Sequence, residues 1–195
     1  GPVHEVRLDA FFISKFEATR AQWTRMSGED PSHILGASAE SLLGPVEGVT
    51  WTEANTWLRR FDLTLPTEAQ WEVAARGGIP LPRWCDWEGP TLMGFEHVGQ
   101  YGGLPVGSMR PNPFGLFDVL GNVSEWCLDR FRSGYHDVER RPGNGEVLDA
   151  DGVVRSFRGG SFGFGDPEVR VTVRFQAGPD DRMAVVGVRP ARDLD

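Results

Sequence analysis

The sequence predicts an α+β fold with much irregular structure, and three observations carry that expectation. Thr-headed helix starts stand at Thr19, Thr50 and Thr67, whereas residues of strand character gather after Gly152. The chain also holds 25 Gly and 14 Pro beside 7 Trp and 12 Phe, which is loop-rich yet supplied with bulk for a core. Its 195 residues fit one domain spanning 1–195, against a soft prior of ~150 residues per domain. A chain of this size buries roughly 70% of its unfolded surface and needs no disulfide or metal to fold. Gly1-Pro2 has the form of a protease-cleavage remnant and carries no structural weight.

From Val3 to Phe16, the loose alternation of Val6, Leu8, Phe11 and Ile13 predicts one or two strands. Thr19 with Gln22, Thr50 with Glu53, and Thr67 with Gln70 are capping boxes: the Thr hydroxyl accepts a backbone N–H and the side chain three residues on reaches back. After the second box, Ala54, Trp57, Leu58 and Phe61 form a stripe expected to pack inward. After the third, Trp71, Ala74 and Ala75 do the same, and Gly77-Gly78 ends the helix. Pro80 to Asn112 reads as one long loop, and Arg130 to Gly152 as a polar, exposed excursion. Val169, Val171, Val173 and Phe175 alternate with Arg170, Thr172, Arg174 and Gln176, predicting a strand. Val185 to Val188 predicts a last short one.

A net charge of −8 argues against nucleic acid or an anionic membrane as the main partner, since both call for clustered positive charge. No apolar run approaches ~18 residues, so membrane insertion is not expected. The sequence opens on no signal-peptide pattern, and Cys85 and Cys127 read as two free buried thiols, so a cytoplasmic bacterial location is expected. His4, His33, His97 and His136 form no zinc-type cluster with them. Glu68, Glu72 and Glu125 sit inside structural motifs, and Ser161, with no base in sight, reads as a turn residue.

Five separated motifs bear further. They are Phe12–Thr19 with Gln22-Trp23, Pro45–Trp51, Leu65–Gly78, Asn112–Trp126, and Arg158–Phe162 followed by Gly187-Val188-Arg189. In this order and spacing the chain resembles the formylglycine-generating enzyme (sulfatase-modifying factor) family over nearly its whole length. The resemblance implies a C-type-lectin-like fold with little regular secondary structure. In the oxidase members a pair of cysteines in the C-terminal segment holds copper. The matching positions here are Phe164 and the stretch 166–169, and no Cys follows Cys127. Neither Phe nor Val offers a soft thiolate for Cu(I), so copper is not expected. The sulfoxide synthases of the superfamily hold iron through another domain, so iron is not expected from these residues either.

The resemblance also implies a structural calcium at the Asp118 turn, held by the Asp118 side chain, the Gly121 and Val123 carbonyls and the Glu125 carboxylate. The alternative is that Asp118 and Asn122 serve backbone groups of the turn while Glu125 pairs an Arg. A second family calcium site aligns with His97, a poor calcium ligand, and is discounted.

Relatives of the same layout include the variable proteins of diversity-generating retroelements and domains fused to bacterial signalling proteins, which makes a place in a larger multidomain chain an open expectation. By that likeness, residues 155–192 carry the binding surface. Its ligand-contacting positions would include Phe164, Gly165, Val173, Phe175, Ala177, Asp181, Met183 and Val185, alongside Gly163, Gly178 and Ala184. Periodicity alone buries Val171, Val173 and Phe175 and turns Arg170 and Arg174 to water. The family layout reverses the faces, with inward guanidinium groups needing carboxylates from Glu72, Asp118 or Glu125. The resulting expectation is a non-catalytic domain that binds a protein or other macromolecule. The competing reading is an oxidoreductase-type enzyme of the same superfamily with a different site or a partner domain.

Overall fold

The computed structural model describes residues 4–33, 40–80, 97, 99, 102–134, 138–148, 152–165 and 169–194. Its first half is organised by the three capping boxes. Each of α1 (Arg20–Ser27), α2 (Trp51–Arg59) and α3 (Glu68–Arg76) starts on its Thr, with both reciprocal hydrogen bonds formed. Each cap is worth about 1 kcal/mol. Helix α1 ends on Gly28 and α3 on Gly77, both left-handed. At Gly77 an added Cβ would meet Pro113 Cδ at 2.6 Å, so the close approach of the 113 turn requires glycine as well.

The strands are short. β1 (Phe11–Ile13) pairs antiparallel with β6 (Ala191–Asp193) as a two-stranded ribbon. β2 (Ser124–Arg130), β3 (Arg155–Arg158), β4 (Phe175–Ala177) and β5 (Val186–Gly187) make a second sheet of order β4-β3-β2-β5. Within it β2–β3 and β3–β4 are antiparallel and β2–β5 parallel, and β2 carries a register shift between Trp126 and Arg130. The result is the loop-rich α+β architecture that the sequence predicts.

Two apolar clusters lie on either side of this sheet's backbone contacts. One gathers Trp23, Leu58, Leu65, Trp126, Phe157 and Val186, the other Trp71, Leu120, Cys127, Val169 and Val171. Buried indoles keep their N–H groups satisfied: Trp51 donates to the Cys127 carbonyl and Trp126 to that of Val49, each at 2.8 Å.

Several expectations are corrected by the structure. The stretch Val169–Phe175 is not a continuous strand: a turn closed by Val173 N–H donating to the Arg170 carbonyl breaks it, and only Phe175–Ala177 pairs. Phe61 does not pack inward, because α2 ends at Arg59 and leaves the ring 51% exposed. β2, β3 and β6 are strands that the periodicity did not mark, since β2 is buried on both faces and shows no alternation. The 130–152 excursion is tethered: Val147 is buried and its N–H donates to Asp129 Oδ1 at 2.9 Å. Cys127 is a buried free thiol as expected, whereas Cys85 and His136 lie outside the described residues. Among the described residues no helix is long and apolar enough to cross a membrane.

Candidate functional site

The surface expected from the C-terminal segment is set from below by an ion-pair hub at the start of α3. Glu68 is fully buried and accepts from Ser156 Oγ at 2.6 Å, Arg158 Nε at 2.8 Å, and Arg174 Nε and Nη2 at 2.5 and 2.6 Å. Burial alone would raise this carboxyl, but Arg158 and Arg174 hold it below its ordinary range. Arg158 continues to Glu72 at 3.0 Å and to the Val171 carbonyl at 2.8 Å. Arg174 donates to the Arg132 carbonyl and lies 4.5 Å from the Phe131 ring centroid. Guanidinium groups suit this role because one planar fork serves several acceptors at once.

The turn at 170–173 shifts the phase of the chain, so neither face pattern holds throughout. Val169 and Val171 point into the core, as periodicity expects; Arg174 points inward, as the family layout expects. Phe175 is thereby left half-buried on the other side. It stacks on Phe157 (centroids 5.3 Å apart, planes at 14°) and on Phe164 (4.8 Å, 2°). Phe157 in turn meets Trp126 edge-on at 5.4 Å. Of the expected contact positions, Phe164, Val173, Phe175, Ala177, Met183 and Val185 are half-buried, while Gly165 and Asp181 are exposed. Gly163 adjoins Val185, whose Cγ1 lies 3.5 Å from where a Cβ would stand. Asp181 is occupied locally, its Oδ2 accepting the Gly178 N–H at 2.7 Å. Beside this segment, Arg182 donates to Glu53 and to the Gly48 carbonyl and borders a pocket of about 350 Å3 that includes Trp23 and Trp57.

Arg170 is only part-buried, and among the described residues its Nε meets no acceptor. Of the carboxylates expected to face Arg170 and Arg174, Glu72 serves Arg158, Glu125 serves Arg189 and Asp118 accepts backbone N–H groups. Glu68 is the acceptor that sequence reasoning passed over; its place in a capping motif gave no sign of a partner more than a hundred residues away. The Phe164 ring, at the position that the family resemblance implies for a copper cysteine, lies flat on Phe175.

The Asp118 turn is a second buried polar cluster. Asp118 and Asn122 are both left-handed, with φ of 56° each. Asp118 accepts the Gly107 and Met109 N–H groups, and Asn122 accepts from Leu104 N and donates to Glu17 at 2.6 Å. Glu125 takes Arg189 Nε at 2.9 Å on both oxygens, Arg189 Nη2 at 2.7 Å and the Trp71 indole at 2.6 Å. Burial raises the Glu17 carboxyl well above its usual range, with Asp118 and Glu125 adding to it. Asp118 is raised by burial too. For Arg189, burial opposes the charge but Glu125 holds it in place, and the net direction is upward.

A calcium ion at this turn would share Asp118 with two N–H donors and Glu125 with a fully buried guanidinium. Among the described residues no three acidic, His or Cys side chains converge as a metal group.

Fold, arginine–carboxylate hubs and a half-buried aromatic platform together place the chain among formylglycine-enzyme-like domains without the copper cysteines. The chain belongs to the sulfatase-modifying factor enzyme 1-like domain family, which it matches over residues 1–194. It is 36% identical to the formylglycine-generating enzyme of Streptomyces coelicolor over 197 residues, covering 90% of this chain and 59% of that protein. It is 30% identical to the serine/threonine-protein kinase pkn1 of Chlamydia pneumoniae over 216 residues, covering 100% of this chain and 35% of the kinase. The chain thus spans less than two thirds of either relative. Among solved structures, it superposes on Treponema denticola variable protein 1 with a TM-score of 0.87 and 26% identity, covering 98% of this chain and 87% of that one.

Proposed function

We infer that this chain is a non-catalytic binding domain that presents the segment from Gly163 to Val185 to a macromolecular ligand, a protein. The carrying observation is the likeness to a variable protein over nearly its full length, joined to the Phe164–Phe175 stack at the copper-cysteine position. The physical logic is a division of labour. Arg158, Arg174 and Arg189 fix the backbone from within through Glu68, Glu72 and Glu125. Residues on the other side, Phe164, Val173, Phe175, Ala177, Met183 and Val185, are half-buried, so they can differ in identity without opening the core. Half-buried aromatic and aliphatic side chains supply contact area for a protein ligand at low ordering cost. The finer layout we propose is the C-type-lectin-like one, with this segment as its ligand-facing surface.

The test is a library with Phe164, Val173, Phe175, Met183 and Val185 randomised together. Most members should stay folded, though less stable than the parent, and selection against unrelated proteins should yield binders. Copper- and oxygen-dependent conversion of a cysteine peptide by the parent chain would overturn the reading. So would a library in which folding is lost as often as on randomising Phe157 and Val186.

A further inference from the structure

A cleft of about 710 Å3 opens between the β1–β6 ribbon, α1 and the turn after α2. Its lining includes no residue of the Gly163–Val185 segment, so it is separate from the surface described above. Ile13 and Met26 line it, and Phe12 and Phe61 stand on it 63% and 51% exposed. Two large exposed rings on one concavity are the kind of apolar surface that marks a binding site, and the volume lies within the range of small-molecule pockets.

The polar groups around the cleft decide what fits. Its backbone is already paired: Ser14 N–H donates to the Pro190 carbonyl at 2.8 Å, Ala191 and Thr64 exchange two bonds at 2.8 Å, and Ala18 N–H donates to the Val188 carbonyl at 2.7 Å. Ser14 Oγ is turned to the Phe16 carbonyl, and Gln22 Oε1 closes the α1 cap. A peptide ligand would bring backbone groups that find few partners here. The charged residues of the lining are both arginines, with Asp62 beside one of them. Arg25 and Arg192 line the cleft and no acid does, in a chain of net charge −8. Arg25 is exposed and makes no hydrogen bond or ion pair among the described residues. Arg192 stands opposite Phe12 across the ribbon and pairs only with the exposed Asp62.

We propose that this cleft binds a single-chain amphiphilic carboxylate of the fatty-acid class, its tail along Phe12, Met26 and Phe61 and its carboxylate at Arg25 and Arg192. The head group makes the charge-assisted bonds for which the rim has donors, and the tail asks for none.

Titration calorimetry with dodecanoate below its micelle concentration tests this, with dodecanol and dodecyl phosphate as comparison ligands. Dodecanoate should bind the whole chain at one site, with dodecanol about tenfold weaker for want of the ionic contacts. Arg25→Gln should weaken dodecanoate about tenfold and leave dodecanol unchanged. Phe61→Asp should abolish both, while Phe175→Ala should alter neither. Phe61 and Arg25 are exposed, so these variants should melt close to the parent, and melting checks that they do. No binding of dodecanoate, equal affinity for alcohol and carboxylate, or preference for the phosphate would overturn the proposal. So would a concentration-dependent dimer that Phe61→Asp dissociates, because the cleft would then be covered by a second copy. Loss of binding in Phe175→Ala alone would also overturn it, whereas failure of the C-terminal library would leave it standing.

Discussion

Arg174 and Glu68, 106 residues apart in the chain, meet through two hydrogen bonds of 2.5 and 2.6 Å at the buried start of α3. That contact fixes which way the last quarter of the chain faces. With Arg174 drawn inward, Phe175 is turned outward onto Phe164 and the platform exists.

Removing either partner should be costly, because a buried charge is left without its counterpart. Arg158→Ala and Glu68→Ala are each expected to lose about 3–5 kcal/mol in urea denaturation. Arg174→Ala should lose less, since Arg158 still faces Glu68 and Arg174 is partly exposed. Equal losses for the two arginines would show that the hub is not centred on Arg158.

The aromatic column should show a gradient of cost from inside to outside. Phe157→Ala removes a buried ring and is expected to cost about 3–5 kcal/mol. Phe175→Ala and Phe164→Ala, both half-buried, should cost about 1–2 kcal/mol each. A larger loss at Phe175 than at Phe157 in denaturation would contradict a surface role for Phe175.

Stability should fall as pH rises from about 4 to about 7, and Asp129 should carry much of the slope. Burial, then the nearby Glu68, pushes the Asp129 carboxyl up to about 7. A folded-state value above the unfolded one favours the protonated form, so the contribution is complete below the unfolded value and lost as pH passes the folded one. The parent should therefore be more stable at pH 5.5 than at pH 8, and Asp129→Asn should reduce that difference. An unchanged slope in the variant would place the titrating group elsewhere.

At the Asp118 turn, chelation should leave the melting temperature unchanged, because Arg189 already holds Glu125 and two N–H groups hold Asp118. A rise of several degrees on adding calcium would show that the turn rearranges to bind it. Arg189→Ala, by contrast, should destabilise by about 3–5 kcal/mol.

Local chemistry made the helices legible. Thr19, Thr50 and Thr67 announced their caps, and Gly77 its helix end, because those bonds close within a few residues. The calcium expectation at Asp118 rested on the family resemblance and the residue types of its turn. The neighbours that occupy its oxygens come from residues 107 and 109, with Arg189 facing Glu125, and spacing does not disclose them. β2 went unmarked because burial on both faces erases the alternation by which strands are read.

The sequence by itself determined the helix starts, the loop-rich α+β class, the absence of any Cys beyond Cys127 and the motif order that carries the family. Tertiary structure alone decided that Val171 faces the core while Arg174, three residues on, also turns inward, and that Phe61 stands out on the cleft instead of packing. The reason is that a periodic pattern specifies a face only while the backbone keeps its period. The turn at 170–173 and the end of α2 at Arg59 break that period, and beyond each break a side chain's direction is set by the distant partner it meets.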